Sequence, residues 1–242
     1  MPDGSETPVT LKIISRVSEV SAADWDACAG PDNPFVSHAF LSALEDSGSA
    51  VEDEGWGPQH LVLEDDDGQL IAAVPAYIKS HSQGEYVFDH GWAHAWERAG
   101  GRYYPKMQVA APFSPVTGPR LLAGTGPDSD DARLTLLRAL ETVCQKLEVS
   151  SVHVTFCTER EHQIMGIADW IPRVGRQFHW HNRGYETFDD FLGALTSRKR
   201  KMIRKERRQV SDQGIRVRPL TGDEIKPEHW DAFYQFYVDT YD

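Results

Sequence analysis

Residues 128–149, DSDDARLTLLRALETVCQKLEV, run straight into SSVHVTFC, and this junction restricts the fold more than any other stretch. Leu134, Leu137, Ala139, Leu140, Val143 and Leu147 recur near helical spacing. Acidic residues crowd the start, where the helix dipole favours them. The period then drops to two, with Val152, Val154 and Phe156 facing one way and His153, Thr155 and Cys157 the other. A helix with one apolar face, followed at once by a half-buried strand, requires a sheet with helices packed on it.

The rest of the chain supplies that sheet. LKIISRVSEV (11–20) predicts a first strand, and SAADWDACAG a short helix with Ser21 as N-cap and Asp24 in the reciprocal position. SHAFLSALEDSG (37–48) predicts a second helix stopped by Gly48. QHLVLEDDDGQLIAAVPAYIKS and EYVFDH read as strands around a turn at Asp67-Gly68. Residues 89–106 read as irregular and aromatic, and MQVAAPFSPVTGPRLLAG as extended chain interrupted by prolines. A helix over 159–168 and a strand at RQFHWHN complete a mixed α/β domain assigned to residues 1–184.

From Tyr185 the pattern restarts. TFDDFLGAL is a helix capped by Thr187, with Phe188, Phe191, Leu192 and Leu195 on its apolar face. A basic helix capped by Ser197 follows, then a strand at GIRVRPLT. PEHWDAFYQFYVDTYD closes the chain as an amphipathic helix whose Trp230, Phe233, Tyr234 and Tyr237 need burial. Helix, helix, strand, helix repeats the opening of the first domain. The expectation is that 185–242 begins a second domain and that the chain is a fragment.

Charge is distributed unevenly. The 242 residues carry a formal net charge of −12, yet SRKRKMIRKERR (197–208) alone carries +7, leaving −19 for the remainder. On a helical wheel Ile203 and Val210 form a narrow seam, and the rest of the circumference is largely cationic. Arg200, Arg204 and Arg207 make one stripe, and Arg198, Lys201, Lys205 and Arg208 another. One reading is a solvated helix facing an acidic body. The other is a phosphate-binding surface, where guanidinium forks give bidentate contacts. Duplex DNA is disfavoured, since the remaining acidic chain repels it. No run of apolar residues is long enough for a transmembrane helix, and MPDGSETPVT is not a secretory signal. Three cysteines without metal-type spacing read as free thiols in a reducing cytoplasm.

FDHGWAHAWERAGGRYYPK (88–106) gathers Asp89, His90, Trp92, Tyr103, Tyr104 and Lys106, with His94 and Trp96 among them. Rings that supply shape beside a carboxylate, an imidazole and an ammonium suit a substrate groove. The plainer alternative is a loop whose aromatics cover the sheet. His153, His179 and His181 could share a sheet face, but without a short-range ligand pair a solvated histidine face is favoured over zinc, and no metal is expected. No nucleophile elbow is present, Cys157 has no activating neighbour in sequence, and no catalytic residue can be named.

GYETFDDFLGALTSRKRKMIRKERRQVSDQGIRV resembles the start of the second domain of FemAB-like acyltransferases. FDHGWAHAWERAGGRYYPKMQVAAPFSPVTGPRLL and QFHWHNRGYETFDDFL resemble the bacterial family of predicted peptidoglycan biosynthesis or recognition proteins, grouped with GNAT-type N-acyltransferases. The resemblance implies a GNAT-like mixed sheet flanked by helices and transfer of an acyl or aminoacyl group to an amine. It implies acyl-CoA or aminoacyl-tRNA as donor, with no tightly bound cofactor, and a small molecule or cell-wall precursor as acceptor. tRNA then becomes a partner to consider. The alternative is a non-catalytic module recognising a phosphate-bearing precursor or RNA. The loop corresponding to a GNAT pyrophosphate cradle would be RLLAGTGPDSDDARL, through Arg120, Gly124 and Gly126. There Asp128, Asp130 and Asp131 stand where phosphate would sit and repel it.

Overall fold

A computed structural model describes residues 9–176 and 178–240. Most of the N-terminal MPDGSETPVT, one residue of RQFHWHN and the last two residues lie outside the described set. The chain divides into two compact units, Met1–Arg176 and Gln177–Asp242.

The first unit is mixed α/β. Strands β1 (Thr10–Ile14), β3 (His60–Glu64) and β4 (Leu70–Val74) form an antiparallel sheet in the order β1-β3-β4. Strands β2 (Trp56–Pro58), β5 (Ala76–Lys79), β6 (Lys106–Val109) and β7 (Val152–Val154) form a second sheet in the order β2-β5-β6-β7. Its first three strands are antiparallel, while β6 and β7 run parallel. Pro75, which has no N–H for a ladder, marks the point where the chain leaves one sheet for the other.

Alternation sorts the side chains. Leu61 and Leu63 of β3, Ala72 and Val74 of β4, and Met107 and Val109 of β6 enter one core cluster. Leu136, Leu137, Leu140 and Val143 of α4 (Ser129–Lys146) and Ile164 and Met165 of α5 (Glu159–Ile167) complete it. Val62 and Ala73 point the other way, to Trp25 and Cys28 of α1 (Ala22–Ala29) and Leu41 of α2 (His38–Asp46). The first sheet is thus covered by helices on both faces.

The local signals for the helices hold. Ser21 accepts the Asp24 amide as N-cap, and its hydroxyl also bonds the Asp24 carboxylate. Glu161, in the capping box of α5, receives the backbone N–H groups of Arg120 and Leu121, both at 2.6 Å.

Several expectations are corrected. Residues 89–106 are not irregular, since α3 (His90–Arg98) forms within them. Trp92, Ala93 and Trp96 share one face of it, but only Ala93 is buried. EYVFDH is not a strand, because Tyr86 and Phe88 adopt positive φ. β7 stops at Val154, and Phe156, also at positive φ, turns the chain. The described residues of RQFHWHN, and all of GIRVRPLT, alternate in sequence but pair with nothing and are not strands.

The second unit holds α6 (Phe188–Ala194), α7 (Ser197–Asp212) and α8 (Pro227–Asp239). Thr187 caps α6 in a capping box with Asp190. The N-cap of α7 is Thr196 rather than Ser197, a one-residue shift of the kind usual at helix ends. The aromatic face of α8 is left exposed, with Trp230 contacting Phe233 edge to face.

Candidate functional site

The second sheet has two unlike faces. Ile78, Met107, Val109, Val152 and Val154 turn toward the α4–α5 core. The alternate positions, Trp56, Tyr77, Lys79, Lys106, Gln108 and His153, line the opposite face. Trp56 stands opposite Lys79, and Lys79 opposite Lys106, in the strand register. Apart from half-buried His153, these side chains are buried: the chain between β5 and β6 covers Lys79 and Lys106, whereas Tyr77 packs with Ala50, Ala110 and Leu44 and against the His60 ring.

Lys106 is the centre of a cluster in which it, Glu85 and Asp89 have side chains 0% exposed. Its Nζ donates to Ser82 Oγ at 3.1 Å, Glu85 Oε2 at 2.7 Å and Asp89 Oδ2 at 2.7 Å, using all three ammonium hydrogens. The Tyr103 hydroxyl donates to Asp89 Oδ2 at 2.8 Å, and Ser82 and Tyr104 share a 2.6 Å hydrogen bond. Lys79 Nζ sits 3.5 Å over the Trp56 ring and donates to the Gln83 carbonyl at 3.3 Å. Gly84, at φ +77°, lets the cover pass close to Phe113, which follows β6, and to Trp56 of β2: a Cβ there would lie 2.6 Å from the first and 3.2 Å from the second.

The electrostatics separate the groups. Burial opposes ionisation of Asp89, but hydrogen bonds from Lys106 and Tyr103 and the charge of Lys106 outweigh it and hold the carboxyl well below the usual range. Glu85 is raised by burial, which the attraction of Lys106 only partly offsets. Burial pulls Lys79 down to about 7, with Glu85 opposing and Lys106 assisting the fall. Burial and then Lys106 lower His153 to about 4, and its Nε2 lies 2.8 Å from Ser151 Oγ. Burial and Asp89 raise Tyr103. Two carboxylates, two lysines and neighbouring hydroxyls in one dry layer can bind a polar ligand and move protons within it.

Of the residues selected from the sequence, Asp89, Tyr103, Tyr104 and Lys106 meet in this cluster, whereas His90 and Trp92 are exposed on α3. The Arg173 guanidinium lies 5.4 Å from the Trp92 ring. Lys79, Ser82, Glu85, Tyr77 and Gln108 were not anticipated. The polar alternation of AYIK and KMQV was the available signal, and it ordinarily marks a solvated face.

The cations of α7 divide sharply. Arg200 donates to the carbonyls of Leu192, Gly193 and Leu195, closing the C-terminal end of α6. Arg204 pairs with Asp189 at 3.2 Å, and Arg207 lies 4.3 Å from the Phe188 ring. One of the two sequence stripes is therefore engaged within the second unit. The side chains of Arg198, Lys201, Lys205 and Arg208 make no hydrogen bond or ion pair with the described residues.

The loop RLLAGTGPDSDDARL is used internally. Arg120 donates to the carbonyls of Val116, Pro119 and Thr155. Arg133 donates to those of Leu121 and Gly124, and Asp130 pairs with Arg133 and Arg160. His153 bonds Ser151, while His179 and His181 stack on each other. Among the described residues no three His, Cys, Asp or Glu side chains gather as metal ligands would, and no helix is long and apolar enough to cross a membrane.

Fold and site define a mixed α/β protein whose second sheet carries a buried, charged face under an aromatic cover. The FemAB-like family model, described as peptidoglycan biosynthesis/recognition, matches residues 16–242, and the chain belongs to that family. No curated protein sequence matches it. Among solved structures, aminoglycoside 6'-N-acetyltransferase AAC(6')-Ih from Acinetobacter baumannii is similar at 13% identity and TM-score 0.42. Ribosomal-protein-alanine N-acetyltransferase from Brucella melitensis biovar Abortus 2308 is similar at 11% and 0.38. Each likeness covers 73% of this chain and 99% of the other.

Proposed function

We propose that the protein is a FemAB-like N-acyltransferase that moves an acyl or aminoacyl group onto an amine of a cell-wall precursor. The observation that carries this reading is the family match, which runs through both units and whose description concerns peptidoglycan. The chemistry is attack of a neutral amine on an activated acyl carbon. It requires positioning of the amine, removal of its proton and stabilisation of the oxyanion. Asp89, Tyr103, Tyr104 and Lys106 form the acceptor region, with His90 and Trp92 on its outer side. Arg198, Lys201, Lys205 and Arg208 hold phosphates of the donor, an acyl-CoA or an aminoacyl-tRNA, or of the precursor. Residues 185–242 are the beginning of a second GNAT-like domain in this reading.

Incubating the protein with acyl-CoA or aminoacyl-tRNA and amine-bearing cell-wall precursors tests it. Mass spectrometry should find the acylated amine accumulating with time. The absence of product with every donor would overturn the enzyme reading. A second reading, recognition without catalysis, is favoured by one observation: both arginines of the candidate donor loop, Arg120 and Arg133, and its Asp130 are engaged within the protein.

A further inference from the structure

The first unit carries a raised apolar surface outside the Lys106 cluster. In α3, Trp92, Ala93 and Trp96 occupy one arc, and His90, His94, Glu97 and Arg98 the arc opposite. Ala93 alone is buried, so the helix rests on one edge and both of its faces stay open. Trp92 is 58% exposed, Trp96 54%, and Phe88, just before the helix, 80%.

A second segment joins this surface. Residues 171–176 follow α5 without regular secondary structure, and every one of them is exposed. Arg173 donates to the Val87 carbonyl at 3.0 Å, and its guanidinium lies 5.4 Å from the Trp92 ring, which holds the segment beside α3. Ile171 and Val174, on either side of Arg173 in sequence, are 89% and 90% exposed. Monomers seldom display a contiguous apolar patch of this kind without something to cover it.

Charge and shape indicate what covers it. Arg98, Arg102, Arg173 and Arg176 are exposed here against Glu97 and Asp169, a positive excess in a chain of net charge −12. The nearby acids Glu85 and Asp89 are buried on Lys106. Phe88, Ile171 and Val174 protrude at these exposures, whereas anchors between proteins sit in well-packed pockets. Protruding apolar side chains among arginines, beside a helix whose polar arc lies opposite its tryptophans, suit a lipid headgroup layer.

We infer that α3, Phe88 and residues 171–176 form a docking surface for an anionic lipid bilayer. Phe88, Trp92, Trp96, Ile171 and Val174 enter the boundary between headgroups and acyl chains, and the four arginines meet lipid phosphates. The acidic remainder of the chain is repelled by the same bilayer. The arginines therefore act within a Debye length, about 8 Å at physiological salt, and apolar insertion carries most of the affinity.

Co-flotation of the whole chain with vesicles, without acyl donor or acceptor, tests this surface. The protein should float with phosphatidylglycerol and phosphatidylcholine in equal parts, and far less with phosphatidylcholine alone. Phe88→Asn with Val174→Ser removes one protruding side chain from each segment, and asparagine tolerates the positive φ at position 88. That pair should keep the native melting temperature and lower the partition coefficient about tenfold or more. Arg98→Glu with Arg102→Glu should reduce binding to the anionic vesicles severalfold and weaken its dependence on salt. No flotation with either vesicle, equal flotation with both, or native-like flotation of Phe88→Asn with Val174→Ser would overturn the surface. Analytical ultracentrifugation covers the other occupant: a dimer that the same pair of substitutions dissociates, with no vesicle binding, gives the patch to a second copy and likewise overturns it.

Discussion

Two pairs of buried acids in the first unit are treated in opposite ways. Glu161 fills both oxygens: Oε1 takes the amides of Arg120 and Leu121, and Oε2 takes the amide and hydroxyl of Thr158. Glu45 is similarly occupied, receiving the Val17 amide at 3.0 Å and His60 Nε2 at 2.8 Å. Glu85 and Asp89 instead share one ammonium, with the Tyr103 hydroxyl also on Asp89, and one oxygen of each has no partner among the described residues. The first pair stitches helices to neighbouring chain. The second leaves acceptor capacity in a layer where leaving it is costly, which separates a site from a support.

Substitution should separate the pairs by their effect on stability. The largest loss is expected for Lys106→Met, which strands two buried carboxylates, at about 3–5 kcal/mol in denaturant unfolding. Glu161→Ala should follow at about 3 kcal/mol, because two backbone donors lose their acceptor and α5 loses its capping box. Glu85→Gln should stay within about 1 kcal/mol of the parent, since the carboxamide oxygen can still accept from Lys106. If Glu85→Gln proved as damaging as Glu161→Ala, the contrast between site and support would collapse.

The pH dependence sharpens the same contrast. Lys79 falls to about 7 in the folded protein against an ordinary value of 10.5. Between those limits the unfolded chain holds the proton and the folded one does not, so this residue makes stability rise with pH across that window. Lys79→Met should flatten that rise in unfolding curves measured from pH 7 to 10. Asp89, whose folded value is depressed, contributes stability that is present above its unfolded value and lost in strong acid.

What was legible in the sequence follows the distinction between local and distant causes. The caps at Ser21 and Thr187 and the buried face of α4 were readable because their determinants lie within a few residues. Asp89, Tyr103, Tyr104 and Lys106 were found as an aromatic and charged concentration. Lys79 and Glu85 were not, because their burial depends on a cover folding back over β5 and β6. RQFHWHN and GIRVRPLT show the opposite error, alternation without a partner strand, and a ladder needs both sides.

The same comparison extends to α7, where the expected effects are smallest. Arg200 satisfies three carbonyls at the end of α6, so Arg200→Ala should cost about 1–2 kcal/mol, felt in the second unit alone. The paired substitution Lys201→Glu with Lys205→Glu touches no partner among the described residues and should leave the melting temperature where it is. Its effect belongs to binding: affinity for inorganic pyrophosphate or a phosphorylated precursor should fall, and the salt dependence of that affinity should flatten. Should Arg200→Ala reduce that affinity while the lysine pair left it untouched, the engaged stripe would be the functional one. An arginine saturated by helix carbonyls would then have to release them to bind, and the rule separating supports from sites would fail at α7.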